Sequence, residues 1–297
     1  MAPAHADEPG ETIVIVDSTP RASEDEAASA SVITSDRTPR SAETMSDLLG
    51  SVPGASVSRL GGVGAPALLS LRGSSWDQVS VYLDGVNLNI AAGGGVDVSA
   101  LPVGDLARVE VYRGATPIAY GGSAIGGVLA VETRRPRRDG ATLEAGAGSF
   151  GTWLGGGSMS LAGERYGLYV GAHTLKTAGT FDFIDDKGTA FDTSDDEIKA
   201  RQNNRVHELD GVVRGGLALS GDRELSLLVL GFDREQGVSG FPRYPTMKSS
   251  LHTRRAIGSL AYRSRDELGA SSLLRAQAYG YGLEQRLTDP LAEILST

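Results

Sequence analysis

The sequence predicts an α+β domain followed by an incomplete antiparallel transmembrane β-barrel. Residues 31–136 hold one helical stripe among short strands that end on Gly. From residue 141 onward, strands with alternating polar and apolar residues are joined by connections that are short, then long, then short again, as in outer-membrane barrels. No window approaches the ~20 apolar residues of a membrane helix. That excludes a helical span but not a barrel, whose strands carry only a weak alternating signal.

The first 30 residues read as a flexible leader. Ala4-His5-Ala6 looks like the small-residue end of a secretory cleavage site, with no apolar segment ahead of it. Residues 7–30 are rich in Asp, Glu, Ser, Ala and Pro, a composition that cannot bury enough apolar surface to order itself. Within them Glu11, Thr12, Ile13, Val14, Ile15 and Val16 form the only β-forming run. An unpaired strand edge invites pairing. Two uses are open: this run adds to the sheet of the following domain, or it is donated to a partner's sheet by strand addition.

Val32–Ser35 reads as a strand, and Thr38-Pro39 as the cap and first turn of a helix. Met45, Leu48, Leu49 and Val52 follow the i, i+3, i+4, i+7 spacing of one buried stripe, which Pro53-Gly54 ends. Further strands are expected at 55–59, 68–72, 78–83, 108–112 and 127–133. Asp84-Gly85 is a hairpin turn signal. In Arg108-Val109-Glu110-Val111-Tyr112-Arg113 the strand period puts Arg108, Glu110 and Tyr112 on one face, and Val109, Val111 and Arg113 on the other.

The order of these pieces carries more than any one of them. Leu71-Arg72-Gly73, Val79 to Val86 with Asp84-Gly85, Leu101-Pro102, Arg108 to Gly114, Tyr120-Gly121 and Ala124 to Val128 follow one another over about sixty residues. This succession resembles the plug domain of TonB-dependent outer-membrane receptors, most of all the cobalamin receptors. Ala115 stands where that family often has Pro. The resemblance implies a receptor in the outer membrane of a Gram-negative bacterium, its N-terminus periplasmic. Such a receptor takes up a scarce nutrient, cobalamin-like or a ferric siderophore, and works with TonB and its inner-membrane energising complex. It further implies that 11–16 is the TonB box. The loops holding Gly61, Gly62, Val63 and Gly64, and Asn87, Asn89, Ala91, Gly93 and Gly94, would be ligand-binding plug apices. Arg72 and Arg113 would lock the plug against barrel glutamates.

Arg134-Arg135-Pro136-Arg137-Arg138 marks the junction, and four Arg without interleaved aromatics read as a solvated linker. Strands follow at 141–149, 152–161, 166–179, 207–219, 224–234, 252–264 and 271–285. Plugged transporters have about 22 strands, so residues 141–297 are expected to be the N-terminal third of a truncated barrel. Open edges cannot face lipid.

The totals exclude other classes. Lys and Arg number 28 against 37 Asp and Glu, a net charge of −9 that argues against a general nucleic-acid binder. Absence of Cys rules out disulfides and Cys-based zinc sites. Neither Gly-rich loop is followed by the Lys of a phosphate-binding loop, and the acidic loop 180–206 fails EF-hand spacing. His5, His173, His207 and His252 are scattered. No catalytic constellation, cofactor motif or metal site is read, and the protein is not expected to be an enzyme. The alternative is a Gly-rich β-structured surface adhesin, whose fixed repeat is not seen.

Overall fold

The computed structural model describes residues 14–17, 30–34, 44–59, 61–89, 94–114, 120, 125–189, 191–219, 223–241, 244–265 and 273–294. The N-terminal half comprises β1 (Val14–Asp17), β2 (Ala30–Thr34), α1 (Met45–Gly50), β3 (Ala55–Arg59), β4 (Ala67–Leu71), β5 (Val79–Leu83), β6 (Val86–Asn87), β7 (Leu106–Tyr112) and β8 (Gly127–Thr133). Six strands form one sheet in the order β1-β2-β7-β8-β5-β6, while β3 and β4 make a separate hairpin. The β5–β8 pair is parallel and the rest of this sheet is antiparallel. Residues 84–126 therefore form the crossover that parallel pairing demands.

The helix is capped at Thr44. The Thr44 hydroxyl accepts from the Asp47 N–H, and the Asp47 carboxylate accepts from the Thr44 N–H at 3.0 Å. The expected start at Thr38-Pro39 lies outside the described residues. The stripe stands as the spacing predicts: Met45, Leu48, Leu49 and Val52 are all buried. They share a core with Leu69, Leu71, Val79, Val81, Val109, Val111, Leu129 and Val131, the inward positions of the strands around them.

The opposite sheet face holds a second cluster. Tyr112 packs there with Ala30, Val128 and Ala130, and its hydroxyl donates to Glu110 at 2.6 Å. Glu110 also pairs with Arg108, so the three polar members of the period-two pattern satisfy one another. Of the two uses open to the leader strand, the structure has the first: Val14, Ile15, Val16 and Asp17 pair with Thr34, Ile33, Val32 and Ser31 at the sheet's edge. Glu11, Thr12 and Ile13 lie outside the described residues.

The second half comprises β9 (Gly140–Gly148), β10 (Thr152–Ala162), β11 (Tyr166–Thr177), β12 (Asp182–Asp185), β13 (Glu197–Ala200), β14 (Val206–Ala218), β15 (Arg223–Gly237), β16 (Gly240–Phe241), β17 (Tyr244–Pro245), β18 (Ser250–Arg265) and β19 (Leu273–Thr288). Seven of these build a continuous antiparallel sheet in the order β19-β18-β15-β14-β11-β10-β9. Each long connection carries its own hairpin, β12–β13 in one and β16–β17 in the other.

Alternation along β15 settles which face is which. Leu228 and Leu230 are 4% and 2% exposed, whereas Leu227 and Val229 are 45% and 48% exposed. The first pair faces the N-terminal domain, and Leu230 with Ile257 joins its core. Leu227 and Val229, with Met159, Leu161, Leu209, Leu217 and Leu260, form an open apolar face. A contiguous band of this kind suits lipid contact. Exposed Trp153 and Tyr166 stand at opposite ends of the β10–β11 pair, as interfacial aromatics do.

Candidate functional site

The polar chemistry concentrates where the N-terminal domain meets the inner face of the wall. Asp84, Asp97 and Asp105 all lie on the crossover from β5 to β7, and each reaches a different part of the wall.

Asp84 follows β5 with φ 48°, a left-handed turn conformation that Asp tolerates better than most side chains. Its carboxylate accepts from the Thr133 hydroxyl at 2.6 Å and from Arg214 Nη1 at 2.6 Å. The same Arg214 nitrogen donates to the Thr133 carbonyl at 3.0 Å. Gln277 of β19 donates to the Asp84 carbonyl at 3.2 Å, tying a second part of the wall to the same turn. Both Asp84 and Arg214 side chains are buried. An ion pair so placed is strongly destabilised if one partner is lost.

Asp97 divides its two oxygens between the domain and the wall. Oδ1 accepts from the N–H groups of Ala67 at 2.9 Å and Ser99 at 3.0 Å, which fixes the turn at 98–100. Oδ2 accepts from Arg234, and Arg234 also donates to the Ser99 hydroxyl at 2.8 Å. Arg234 is fully buried, with its guanidinium 5.2 Å from the Phe232 ring centroid. Its other carboxylate neighbour is Glu208, at 3.6 Å. Next on the wall, Arg255 donates to the Ala100 carbonyl at 3.1 Å.

Asp105 accepts from the Tyr169 hydroxyl at 2.7 Å and lies 3.4 Å from His173 Nδ1. Its approach depends on Gly171, where a Cβ would fall 2.1 Å from Asp105 Oδ1.

The residues expected from sequence are distributed differently. Gly61, Gly62, Val63 and Gly64 form a turn at the long-loop end of the wall, where Gly64 packs against Val206. Arg59, just before this turn, is paired with Asp47. Burial works against ionisation of Asp47, but hydrogen bonds from Thr44 and Arg59 outweigh it and hold its carboxyl below the usual range.

Asn87 and Asn89 are half-buried, and their amides make hydrogen bonds inside the domain. Asn89 accepts from the Val81 N–H at 2.8 Å and donates to the Val79 carbonyl at 2.9 Å, extending the pairing of β5. Asn87 accepts from the Asn89 N–H at 2.9 Å and donates to the Tyr82 hydroxyl at 3.3 Å. Ala91 and Gly93 lie outside the described residues, and Gly94 stands in open space. Arg113 donates to the Pro53 carbonyl at 2.6 Å and the Ser31 hydroxyl at 2.9 Å, and Arg72 lies beside it over Gly54. Among the described residues the ion pairs between domain and wall join wall arginines to domain aspartates, Arg214 to Asp84 and Arg234 to Asp97. Sequence reading misses Asp84, Asp97, Asp105, Arg214 and Arg234. The one available signal is an Arg recurring on the domain-facing side of neighbouring strands, Arg214, Arg234 and Arg255.

Residues 22–128 match the family described as the TonB-dependent Receptor Plug Domain. The chain carries the plug domain of a TonB-dependent receptor. The chain is similar to the vitamin B12 transporter BtuB of Vibrio cholerae, 41% identical over 109 residues, covering 36% of this chain and 18% of that protein. The Vibrio vulnificus vitamin B12 transporter is 38% identical over 133 residues, 41% of this chain and 22% of that protein. This chain therefore matches only a minor part of these relatives' length.

Solved structures share the fold across plug and wall together. The copper transporter OprC superposes with a TM-score of 0.69 at 18% identity, covering 93% of this chain and 39% of that one. The FrpB iron transporter from Neisseria meningitidis gives 0.66 at 17% identity, covering 84% and 39%. The receptor's place is the outer membrane, as the plug match and the lipid-suited face of the wall agree. No helix among the described residues is long and apolar enough to cross a membrane. A Gly-rich adhesin gives no reason for a plug domain.

Proposed function

We propose that this chain is the plug and leading barrel wall of a receptor that takes up a scarce nutrient across the outer membrane, with a large, nearly neutral cobalamin-like molecule as its ligand. The observation that carries this reading is the 41% identity of the chain, over 109 residues, to a vitamin B12 transporter. The chemistry of the turn at 61–66 supports it. This turn offers Gly backbone with Val63, Ala65 and Pro66, and the cation nearest to it along the chain, Arg59, is already paired with Asp47. A highly anionic ferric siderophore would call for free cations at its contact surface.

Uptake makes and breaks no bond in the ligand. The wall contacts of Asp84, Asp97 and Asp105 hold the plug in place, and TonB, engaging the segment 11–16 by strand addition, supplies the force that moves it. Because Val14–Asp17 is the edge strand of the plug sheet, one side of its backbone pairs with β2 and the other is open to the strand that TonB adds.

The test is equilibrium binding of cyanocobalamin and of an anionic ferric siderophore to the receptor that carries this chain. Tight cobalamin binding is expected. Tight siderophore binding with no cobalamin binding would overturn the ligand preference. A cysteine at position 14 that never cross-links to TonB, with or without ligand, would overturn the partner.

A further inference from the structure

Asp105 of the plug, His173 of β11 and Asp210 of β14 come together at the seam although they are scattered along the sequence. One ligand atom from each lies within 4.8 Å of the others. His173 Nδ1 is 3.4 Å from Asp105 Oδ2 and 3.6 Å from Asp210 Oδ1. These distances are too long for well-formed hydrogen bonds. Among the described residues Asp105 Oδ2, His173 Nδ1 and Asp210 Oδ1 are buried atoms with no hydrogen-bond partner. Asp105 itself is fully buried. One imidazole N–H shared between two carboxylates at these distances makes only weak contacts, so direct contact leaves this cluster poorly satisfied.

We propose that the seam holds a divalent transition-metal ion of the Zn²⁺ type, bound by Asp105, His173 Nδ1 and Asp210. Zinc binds His nitrogen and carboxylate oxygen at about 2.0–2.2 Å, so neighbouring ligand atoms of a tetrahedral site stand roughly 3.3–3.6 Å apart. The two separations at Nδ1 match that edge length. One imidazole with two carboxylates suits a borderline ion better than Ca²⁺ or Mg²⁺, which take mostly oxygen in larger number.

The surroundings are those of a metal site. The carboxylate that commonly orients a ligating His has a counterpart here: Glu144 Oε1 lies 3.7 Å from His173 Nε2, within reach of a charge interaction though longer than a hydrogen bond. Ligating carboxylates are hydrogen-bonded in turn, and Asp105 Oδ1 accepts from Tyr169 at 2.7 Å. The imidazole is held in a slot, since a Cβ on Gly104 or Gly156 would fall 2.5 or 2.3 Å from its ring atoms. A cavity of about 200 Å³ lined by His173, Asp210 and Glu144 gives the ion a way in. Three protein ligands leave a fourth position for water. Because Asp105 belongs to the plug and the other two to the wall, the ion staples the two halves together. This inference stands whichever nutrient the receptor carries.

The experiment uses the full chain in detergent, stripped with a chelator and then titrated with Zn²⁺ alone. One equivalent is expected, with X-ray absorption at the zinc edge showing an imidazole in an all-nitrogen-and-oxygen shell. His173→Gln, Asp105→Asn and Asp210→Asn are expected to weaken binding by more than ten-fold. Glu144→Gln, acting through His173, should weaken it by about ten-fold. His252→Gln, in a side chain paired with Asp233, should leave it unchanged. Failure of the wild-type chain to take up one equivalent would overturn the site. So would a zinc-edge spectrum without imidazole, or a folded His173→Gln that binds as well as wild type. Should the seam variants not fold, the wild-type stoichiometry and spectrum decide alone.

Discussion

Arg214 of the barrel wall donates to Asp84 of the plug at 2.6 Å, across 130 residues of sequence, and both side chains are buried. Each charge is tolerable there only because of the other. Arg214→Ala or Asp84→Ala should cost about 3–5 kcal/mol of stability, because an uncompensated buried charge remains. The double variant Asp84→Leu with Arg214→Met should cost much less than the sum. Denaturant unfolding in detergent measures both; additive losses would show that the pair is not coupled.

Gly171 should tolerate no side chain. A Cβ there meets the Asp105 carboxylate at 2.1 Å, and overpacking of this kind costs about 1–3 kcal/mol. At Gly258, on the same sheet, an added Cβ would meet nothing within 4 Å, so Gly258→Ala should stay within about 0.5 kcal/mol of wild type. Thermal melts of the two variants, run side by side, check the contrast.

The edge strand should be separable from the sheet. Ile15→Pro and Val16→Pro each remove a backbone donor. Amide exchange at 14–17 should rise while exchange across β7 and β8 stays slow, since those two strands pair with each other and do not depend on β1. Loss of protection throughout the plug would mean that β1 is integral to it.

Alkali should loosen the plug through Tyr112. Burial, then the hydrogen bond to Glu110, pushes this phenol well above its ordinary value of 10.0. A phenol whose folded pKa is raised stabilises the fold below its unfolded pKa, and that contribution is lost as pH rises beyond it. Stability should therefore fall above about pH 10, and Tyr112→Phe should flatten that fall while lowering stability at neutral pH by about 1 kcal/mol. Denaturation curves taken between neutral and strongly alkaline pH give the comparison.

Local patterns make most of the fold legible. The stripe of Met45, Leu48, Leu49 and Val52, the Asp84-Gly85 turn and the alternation along β15 depend on neighbours a few residues apart, so sequence spacing shows them. Thr38 before Pro39 has the chemistry of a cap, but Thr44 with Asp47 makes the reciprocal one. The site is much less legible. Asp97 meets Arg234 across 137 residues and Asp105 meets Tyr169 across 64, and no local rule links such partners. The bonds of Asn89 to the backbone of Val79 and Val81 are equally hidden, because nothing in a Gly-rich loop marks an amide as a substitute for a strand's backbone.

The order β1-β2-β7-β8-β5-β6 has a mechanical consequence. The chain's N-terminal edge lies on one side of the plug sheet, and the Asp84 turn that follows β5 lies toward the other. Tension drawn through β1 loads the β1–β2 ladder first and then β2–β7, and reaches the Asp84–Arg214 anchor only through the rest of the sheet. A pull directed across the strands would unzip the edge one backbone bond at a time at low force. A pull along them would shear the whole ladder together. The direction of traction, more than its strength, then decides whether the plug comes apart from its edge or leaves the wall as one body.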